Sequence, residues 1–396
     1  MRAYDILVLN AISPVGLKRL PAERYRVAKD HTRPHGILVR SADMHAMEIP
    51  DTVLAVGRAG AGTNNIPVKA LSARGVPVFN APGANANAVK ELVLAGMLMA
   101  ARNLPAALDF VRGLDGEGDA LSKAIEDGKK SFAGFELPGH TLGVIGLGRI
   151  GRLVADAAIR LGMDVLGFDP EITVDAAWSL PSQVKKANSA EEVLRASHFV
   201  TLHVPLIDAT RHLVNASRLA VARAGLILLN FSREGIVDDE AIAAALGAHR
   251  LRAYVTDFPT ARLRGVPGVI ALPHLGASTR EAEDNSAAMV VDQLRAYLEH
   301  GTIQNAVNFP DVVMARESPY RVGIANANVP NMLGQISTTM AHAGLNIHNM
   351  LNKSRGEMAY TLVDTDSPAG ADVVAALSRI PGVLAVRDLP VAETEA

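Results

Sequence analysis

The stretch "TLGVIGLGRIGRLVADAAIRLGMDVLGFD", residues 141–169, reads as an apolar strand, a glycine turn, an amphipathic helix and a second apolar strand that closes on Asp169. Gly146, Gly148 and Gly151 have the spacing that lets a backbone turn tightly, approach a pyrophosphate and pack a helix against a strand. The helix N-terminus, beginning at Arg149 and Ile150, offers amide donors to an anion. Asp169 lies 23 residues after Gly146. Its carboxylate can accept from ribose hydroxyls and would repel a 2′-phosphate, so NAD is the expected cofactor rather than NADP.

A unit of this kind usually opens a nucleotide-binding domain, yet here 140 residues precede it. Within residues 1–100, short apolar runs at 6–9, 36–39, 53–56 and 76–79 alternate with helical patterns and predict a separate α/β domain. Residues 101–140, rich in glycine and charge, predict a helix and an exposed connection. Beyond the glycine turn, apolar runs at 142–145, 164–168, 199–203, 226–230, 252–255 and 269–272 predict a doubly wound parallel sheet. A long amphipathic helix over 279–300 leads back toward the first domain. The last part of the chain reads as a small separate module in βαββαβ order. The fold class is therefore α/β: two doubly wound, Rossmann-like parallel-sheet domains followed by a C-terminal βαββαβ domain. The expected division is 1–100 with 280–310, then 101–279, then 318–392.

The totals narrow the function. Of 396 residues, 39 are Lys or Arg and 41 are Asp or Glu, a formal charge of −2 that gives no general attraction to nucleic acid or to an anionic membrane. The sequence contains no cysteine, which excludes disulfides, thiolate metal sites and a cysteine nucleophile. No metal-ligand set is expected. The N-terminal run reads as a first strand, not a signal peptide, and the longest apolar run falls far short of about 20 residues, so a soluble cytoplasmic protein is expected.

Past the midpoint of the second sheet, four strand ends carry polar groups: "HVPL" at 203–206, "NFSREG" at 230–235, "TDFP" at 256–259 and "PHLGAS" at 273–278. Arg233 can hold a carboxylate or carbonyl, and His274 can exchange the proton that accompanies hydride transfer. His203, Val204, Pro205, Phe231, Ser232, Asp257, Gly276 and Ala277 are expected around the cofactor.

With these motifs in place, the chain resembles the D-2-hydroxyacid dehydrogenase family over essentially its whole length, and within it the enzymes acting on 3-phosphoglycerate. The resemblance implies that the first domain binds substrate and that the cofactor domain is inserted into it. Arg58 and Gly60, in "VGRAGAG", would meet the substrate carboxylate or phosphate, and Arg40 and Ser41, in "VRSA", the phosphate. The reaction implied is NAD-dependent oxidation of 3-phospho-D-glycerate to 3-phosphohydroxypyruvate, the first step of L-serine biosynthesis, with Arg233 and His274 catalytic. The family's glutamate partner of the histidine falls on Ala261, which leaves Asp257 as the nearest acid in sequence. The C-terminal module resembles an ACT domain, which implies a possible L-serine effector at Asn326, Asn328 and Asn346 and a homodimer or homotetramer. Two other readings stand beside this one: a D-2-hydroxyacid dehydrogenase for another substrate such as 2-hydroxyglutarate, and a non-catalytic NAD-sensing protein.

Overall fold

The computed structural model describes residues 3–389, so residues 390–392 of the expected C-terminal domain lie outside the described residues. The chain forms two compact units, Met1–Asn85 with Arg280–Ala396, and Ala86–Thr279. Among the described residues no single helix is long and apolar enough to cross a membrane.

The first unit begins with a five-stranded parallel sheet in the order β2-β1-β3-β4-β5. Its strands are β1 (Tyr4–Leu9), β2 (Tyr25–Ala28), β3 (Gly36–Val39), β4 (Ala55–Arg58) and β5 (Val78–Phe79). All four residues of β3 are buried, as its unbroken apolar run requires for a strand covered on both faces. One of those covers is the helix Arg280–His300, whose Val290, Val291, Leu294 and Leu298 share a core with Ile6 and Leu38. This helix carries the returning chain back onto the first sheet.

The second unit holds seven parallel strands in the order β12-β11-β10-β9-β6-β7-β8. They are β6 (Thr141–Ile145), β7 (Asp164–Phe168), β8 (Lys185–Lys186), β9 (Phe199–Leu202), β10 (Leu226–Asn230), β11 (Leu251–Thr256) and β12 (Val269–Ala271). The strand order reverses between β6 and β9, and a doubly wound sheet opens its ligand crevice beyond the carboxyl ends of the strands at such a reversal.

The unit begins earlier than the sequence predicts, at Ala86 rather than near residue 101. The helix Ala86–Ala101 buries Val89, Val93 and Met97 in the core of the second sheet. Gly96 lets it approach, since a Cβ there would stand 3.0 Å from both Phe231 and Val255. Residues 101–140 contain two helices, Leu104–Arg112 and Gly118–Gly128, neither with a buried residue.

The C-terminal strands β13 (Tyr320–Ala327), β14 (Ile347–Arg355), β15 (Met358–Thr365) and β16 (Val383–Asp388) form an antiparallel sheet in the order β14-β15-β13-β16. Its sequence alternates. Val322 and Ile324 face a core with Met332, Ile336 and Leu377 from its own two helices, whereas Ala325, Tyr360 and Leu362 join the core that contains Ile6, Tyr297 and Val312. The module is therefore not separate, as its βαββαβ order predicts, but belongs to the same compact unit as the first domain. Small residues allow the approach: a Cβ on Gly75 would lie 2.7 Å from that of Ala385.

Two arginines bind this face. Arg321, 1% exposed, donates from Nε and Nη2 to the fully buried Asp364 at 2.6 and 2.9 Å and to the carbonyls of Met314 and Ala315. Arg387 stacks over Tyr297, 4.5 Å from its ring centroid, and donates to the carbonyls of Tyr297 and Leu298 at the end of the long helix. Replacing Asp364 by Ala strands the Arg321 charge in the core, so the urea midpoint should fall by the equivalent of about 3–5 kcal/mol. The double variant Arg321→Met/Asp364→Leu should recover most of that loss, and a single variant with an unchanged midpoint would contradict the role given to the pair.

Candidate active site

The three glycines of the turn occupy three different environments. Gly146 has φ +93°, which disfavours any side chain, and a Cβ there would lie 2.5 Å from the carbonyl oxygen of His203. At Gly151 a Cβ would lie 2.0 Å from the Gly146 oxygen, so the helix Arg149–Arg160 packs directly on the turn. At Gly148, the N-cap of that helix, a Cβ would meet nothing within 4 Å. That open space beside the N-terminus is where a pyrophosphate fits. Asp169 steadies the turn by accepting the Leu147 amide at 2.8 Å and the Glu171 amide at 3.0 Å, which leaves lone pairs on both oxygens for ribose hydroxyls. Arg149 is exposed and Ile150 half-buried at the start of the helix.

From this turn, hydrogen bonds run sideways across the ends of the strands. His203, after β9, has Nε2 3.0 Å from Thr201 Oγ1, and burial pushes its imidazole down to about 3. Val204 packs against Gly146, and Pro205 is exposed. Ser232, after β10, donates to the Leu202 carbonyl at 2.6 Å. Asn230 is fully buried, and its side chain donates to the Arg233 carbonyl at 2.8 Å and accepts the Ser232 amide at 3.2 Å. Thr256, ending β11, donates to the Asn230 carbonyl and accepts the Phe258 amide. Asp257, 1% exposed, accepts the Gly276 amide at 3.1 Å, which brings in the turn that carries His274. The His274 ring lies 4.6 Å from that of Phe258.

The structure thus brings Arg233, His274, Asp257, Ser232, His203 and the glycine turn to one end of one sheet. Phe231 is instead a core residue against Gly96, and Ala261 is exposed. Burial raises the Asp257 carboxyl above the ordinary range, an effect opposed by the Gly276 amide and by His274. Asp257 Oδ1 and His203 Nδ1 are buried without a hydrogen-bond partner in the described structure. Of the two, Asp257 Oδ1 can accept from a carboxamide NH₂. The residues present therefore fit NAD, with Gly148 toward the pyrophosphate, Asp169 toward the ribose and Asp257 toward the nicotinamide end. Asn230 and Thr201, which hold Arg233 and His203 in place, were missed by the sequence reading. The only signal for Asn230 is a polar residue closing the otherwise apolar strand "LILLN".

In the first unit, Arg40 and Ser41 follow β3, Arg58 closes the adjacent β4, and Gly60 follows it. Arg58 Nε donates to the Arg40 carbonyl at 3.1 Å, and the Arg58 side chain folds over Gly60, whose φ of +151° suits glycine. Asn10, after β1, donates to Ser41 Oγ at 2.6 Å. Arg40 pairs with Glu283 at 2.6 Å, a contact the sequence reading did not foresee. Register separates the three effector candidates. Asn326 stands opposite Ala359, whereas Asn346 precedes Ile347, opposite Thr365 and the Tyr320 end of β13, roughly 20 Å away along the strand. Asn328 shares the Asn326 end and bonds to the Gly356 carbonyl.

Two outcomes follow from this geometry. Gly148→Ala should leave the melting temperature nearly unchanged while weakening NAD binding about tenfold or more in calorimetry, whereas Gly151→Ala should lower the melting temperature. Equal effects on folding would contradict the separate roles of the two glycines. Below about pH 6.5 the unfolded chain takes up a proton at His203 that the folded chain refuses until about pH 3. This residue therefore removes stability as pH falls, by up to about 1.4 kcal/mol per unit. His203→Gln should flatten that limb of the urea-denaturation profile, and parallel limbs would refute the assignment.

The profile of the family "D-isomer specific 2-hydroxyacid dehydrogenase, NAD binding domain" matches residues 94–276. The D-3-phosphoglycerate dehydrogenase of Haemophilus influenzae is 32% identical over 356 residues, 87% of this chain and 83% of its own length. That of Methanocaldococcus jannaschii is 34% identical over 327 residues, 80% of this chain, and the matched region spans only 58% of the relative. Among solved structures, the TT0316 protein of Thermus thermophilus superposes with a TM-score of 0.62 at 27% identity, covering 76% of this chain and 99% of its own. With its glycine turn, its acidic ribose position and its arginine and histidine at the strand ends, the chain belongs to the D-isomer-specific 2-hydroxyacid dehydrogenase family and is an NAD-dependent oxidoreductase.

Proposed function

We propose that the substrate is 3-phospho-D-glycerate, oxidised at C2 to 3-phosphohydroxypyruvate in the first step of L-serine biosynthesis. The observation that carries this reading is the pair of guanidinium groups, Arg40 and Arg58, at the ends of adjacent strands, beside Ser41 and Gly60. A phosphate and a carboxylate on one small molecule call for two such cations. The names of the relatives in H. influenzae and M. jannaschii support the same substrate. NAD, when bound, supplies the hydride acceptor. Arg233, held by Asn230, orients the substrate and stabilises charge on the forming carbonyl oxygen. His274 takes the hydroxyl proton, and the neighbouring Asp257 is the acid that replaces the glutamate absent at Ala261.

One observation favours a second reading. Arg40 is already paired with Glu283, and a substrate without a phosphate, such as 2-hydroxyglutarate, would leave that pair intact. L-serine as effector would need more than one chain, because Asn346 lies at the far end of the sheet from Asn326 and Asn328. A homo-oligomer is also supported by the stripe of Leu104, Leu108 and Val111 on the helix Leu104–Arg112, each more than 40% exposed.

Steady-state assays with 3-phosphoglycerate, D-glycerate and 2-hydroxyglutarate separate the two readings. The first predicts the highest kcat/KM for 3-phosphoglycerate, a loss of about 10²–10³ in Arg233→Ala, and a raised KM with nearly constant kcat in Arg40→Met. Preference for 2-hydroxyglutarate, with Arg40→Met indifferent, would establish the second.

A further inference from the structure

The ion pair between Arg40 and Glu283 joins two pieces of backbone that are each held independently. Around Arg40, the Asn10 side chain accepts the Arg40 amide at 3.2 Å and donates to Ser41, while the Arg40 carbonyl accepts from Arg58 Nε and from the Asn65 side chain. Asn65 also donates to the Ala42 carbonyl at 2.7 Å. Beside Glu283, the Asp284 carboxylate accepts from the Ser13 hydroxyl. One turn further on, Ala287 lies so close to Gly16 that a Cβ on that glycine would stand 2.6 Å from the Ala287 backbone. The turn after β3 and the first turn of the long helix are thus fixed, and only the guanidinium and the carboxylate can change partner.

A single bond, from Arg40 Nη2 to Glu283 Oε1 at 2.6 Å, joins the two side chains, and neither charged group has another partner among the described residues. They are 34% and 41% exposed, so solvent reaches the pair and it is easily broken. Glu283 is in effect a built-in competitor for any anion that approaches Arg40. Exchanging its carboxylate for the carboxylate of a ligand replaces one singly charged acceptor by another and gains little. A phosphate monoester carries a charge of about −1.5 to −2 at pH 7 and three acceptor oxygens. It can take the guanidinium in a bidentate pair and accept from Ser41 as well. An uncharged group does not compete for Arg40 and leaves the pair closed.

We infer that Glu283 is a specificity-determining residue, an internal counter-anion on Arg40 that the distal group of a substrate must displace. A phosphate is thereby admitted, whereas a lone carboxylate gains nothing over a neutral group. Arg40 alone would attract either anion, and the carboxylate beside it is what separates them. This role rests on the reading that places the distal group of the substrate at Arg40.

The test compares kcat/KM for 3-phosphoglycerate and for 2-hydroxyglutarate, each as a ratio to D-glycerate, in the full chain and in Glu283→Gln. In the wild type the first ratio should be high and the second near parity. Both should rise about threefold or more in Glu283→Gln, as loss of an exposed ion pair allows, with the change in KM and not in kcat. In an Arg40→Met background the same substitution should move neither ratio, and movement there would overturn the role. Calorimetric titration with 2-phosphoglycolate, which has no hydroxyl to oxidise, reads the same competition without turnover, and its Kd should tighten about threefold in Glu283→Gln. Ratios or affinities that fall would mean that Glu283 holds Arg40 in place for the substrate, and level ones that it does not compete. Either result overturns the role of Glu283 while leaving 3-phosphoglycerate as the preferred substrate. A wild-type preference for 2-hydroxyglutarate or D-glycerate overturns this role and the reading beneath it together.

Discussion

The close approach of the Gly146 turn to the end of β9 is the constraint on which the candidate active site depends. A single Cβ at Gly146 would strike the His203 carbonyl, and one at Gly151 would strike the turn itself. With both absent, the helix N-terminus, Asp169 and His203 come together. From there the bonds Ser232 to Leu202, Asn230 to Arg233, Thr256 to Asn230 and Asp257 to Gly276 carry the same order across four strand ends. Cofactor turn, arginine and histidine therefore belong to one rigid edge. A charged donor gains catalytic value when its position is set before the reaction begins.

Where local pattern and burial coincide, this architecture is legible in the sequence. β10 and the glycine turn stand where the sequence places them, because a central parallel strand buried at all five positions leaves no ambiguity of period. The missed strands, β2 and β8, are a four-residue strand with two exposed positions and a lysine pair with no apolar signal. The division at Ala86 has no sequence signal for another reason. An apolar helix reads the same whichever sheet it covers, and it is the burial of Val89, Val93 and Met97 and the contact of Gly96 with Phe231 and Val255 that assign it to the second. Within the site, residues that would face a ligand were visible as polar groups at strand ends. Asn230 shares that mark but acts on another residue, and Glu283, inside the long helix, carries none.

The C-terminal sheet shows what composition conceals. Its βαββαβ order suggests an independent module, yet one face places Arg321, Gly323 and Ala325 in alternation with the apolar residues of the other. That face also carries Tyr360 and Leu362. It joins a core already built by the first domain, with Arg321 and Arg387 capping carbonyls at the end of the long helix and in the linker. The Arg355 bond to the Ala306 carbonyl ties the hairpin to the segment that bridges Phe79 at the edge of the first sheet.

The account's central claim is that the glycine turn and the polar strand ends serve direct transfer of hydrogen from C2 of a 2-hydroxyacid to NAD. The most direct measurement is single-turnover reaction with 3-phospho-D-glycerate deuterated at C2, followed by mass spectrometry of the reduced cofactor. The account predicts one deuterium in the cofactor and none released to water. Deuterium recovered in the solvent, or turnover without reduced cofactor, would contradict it.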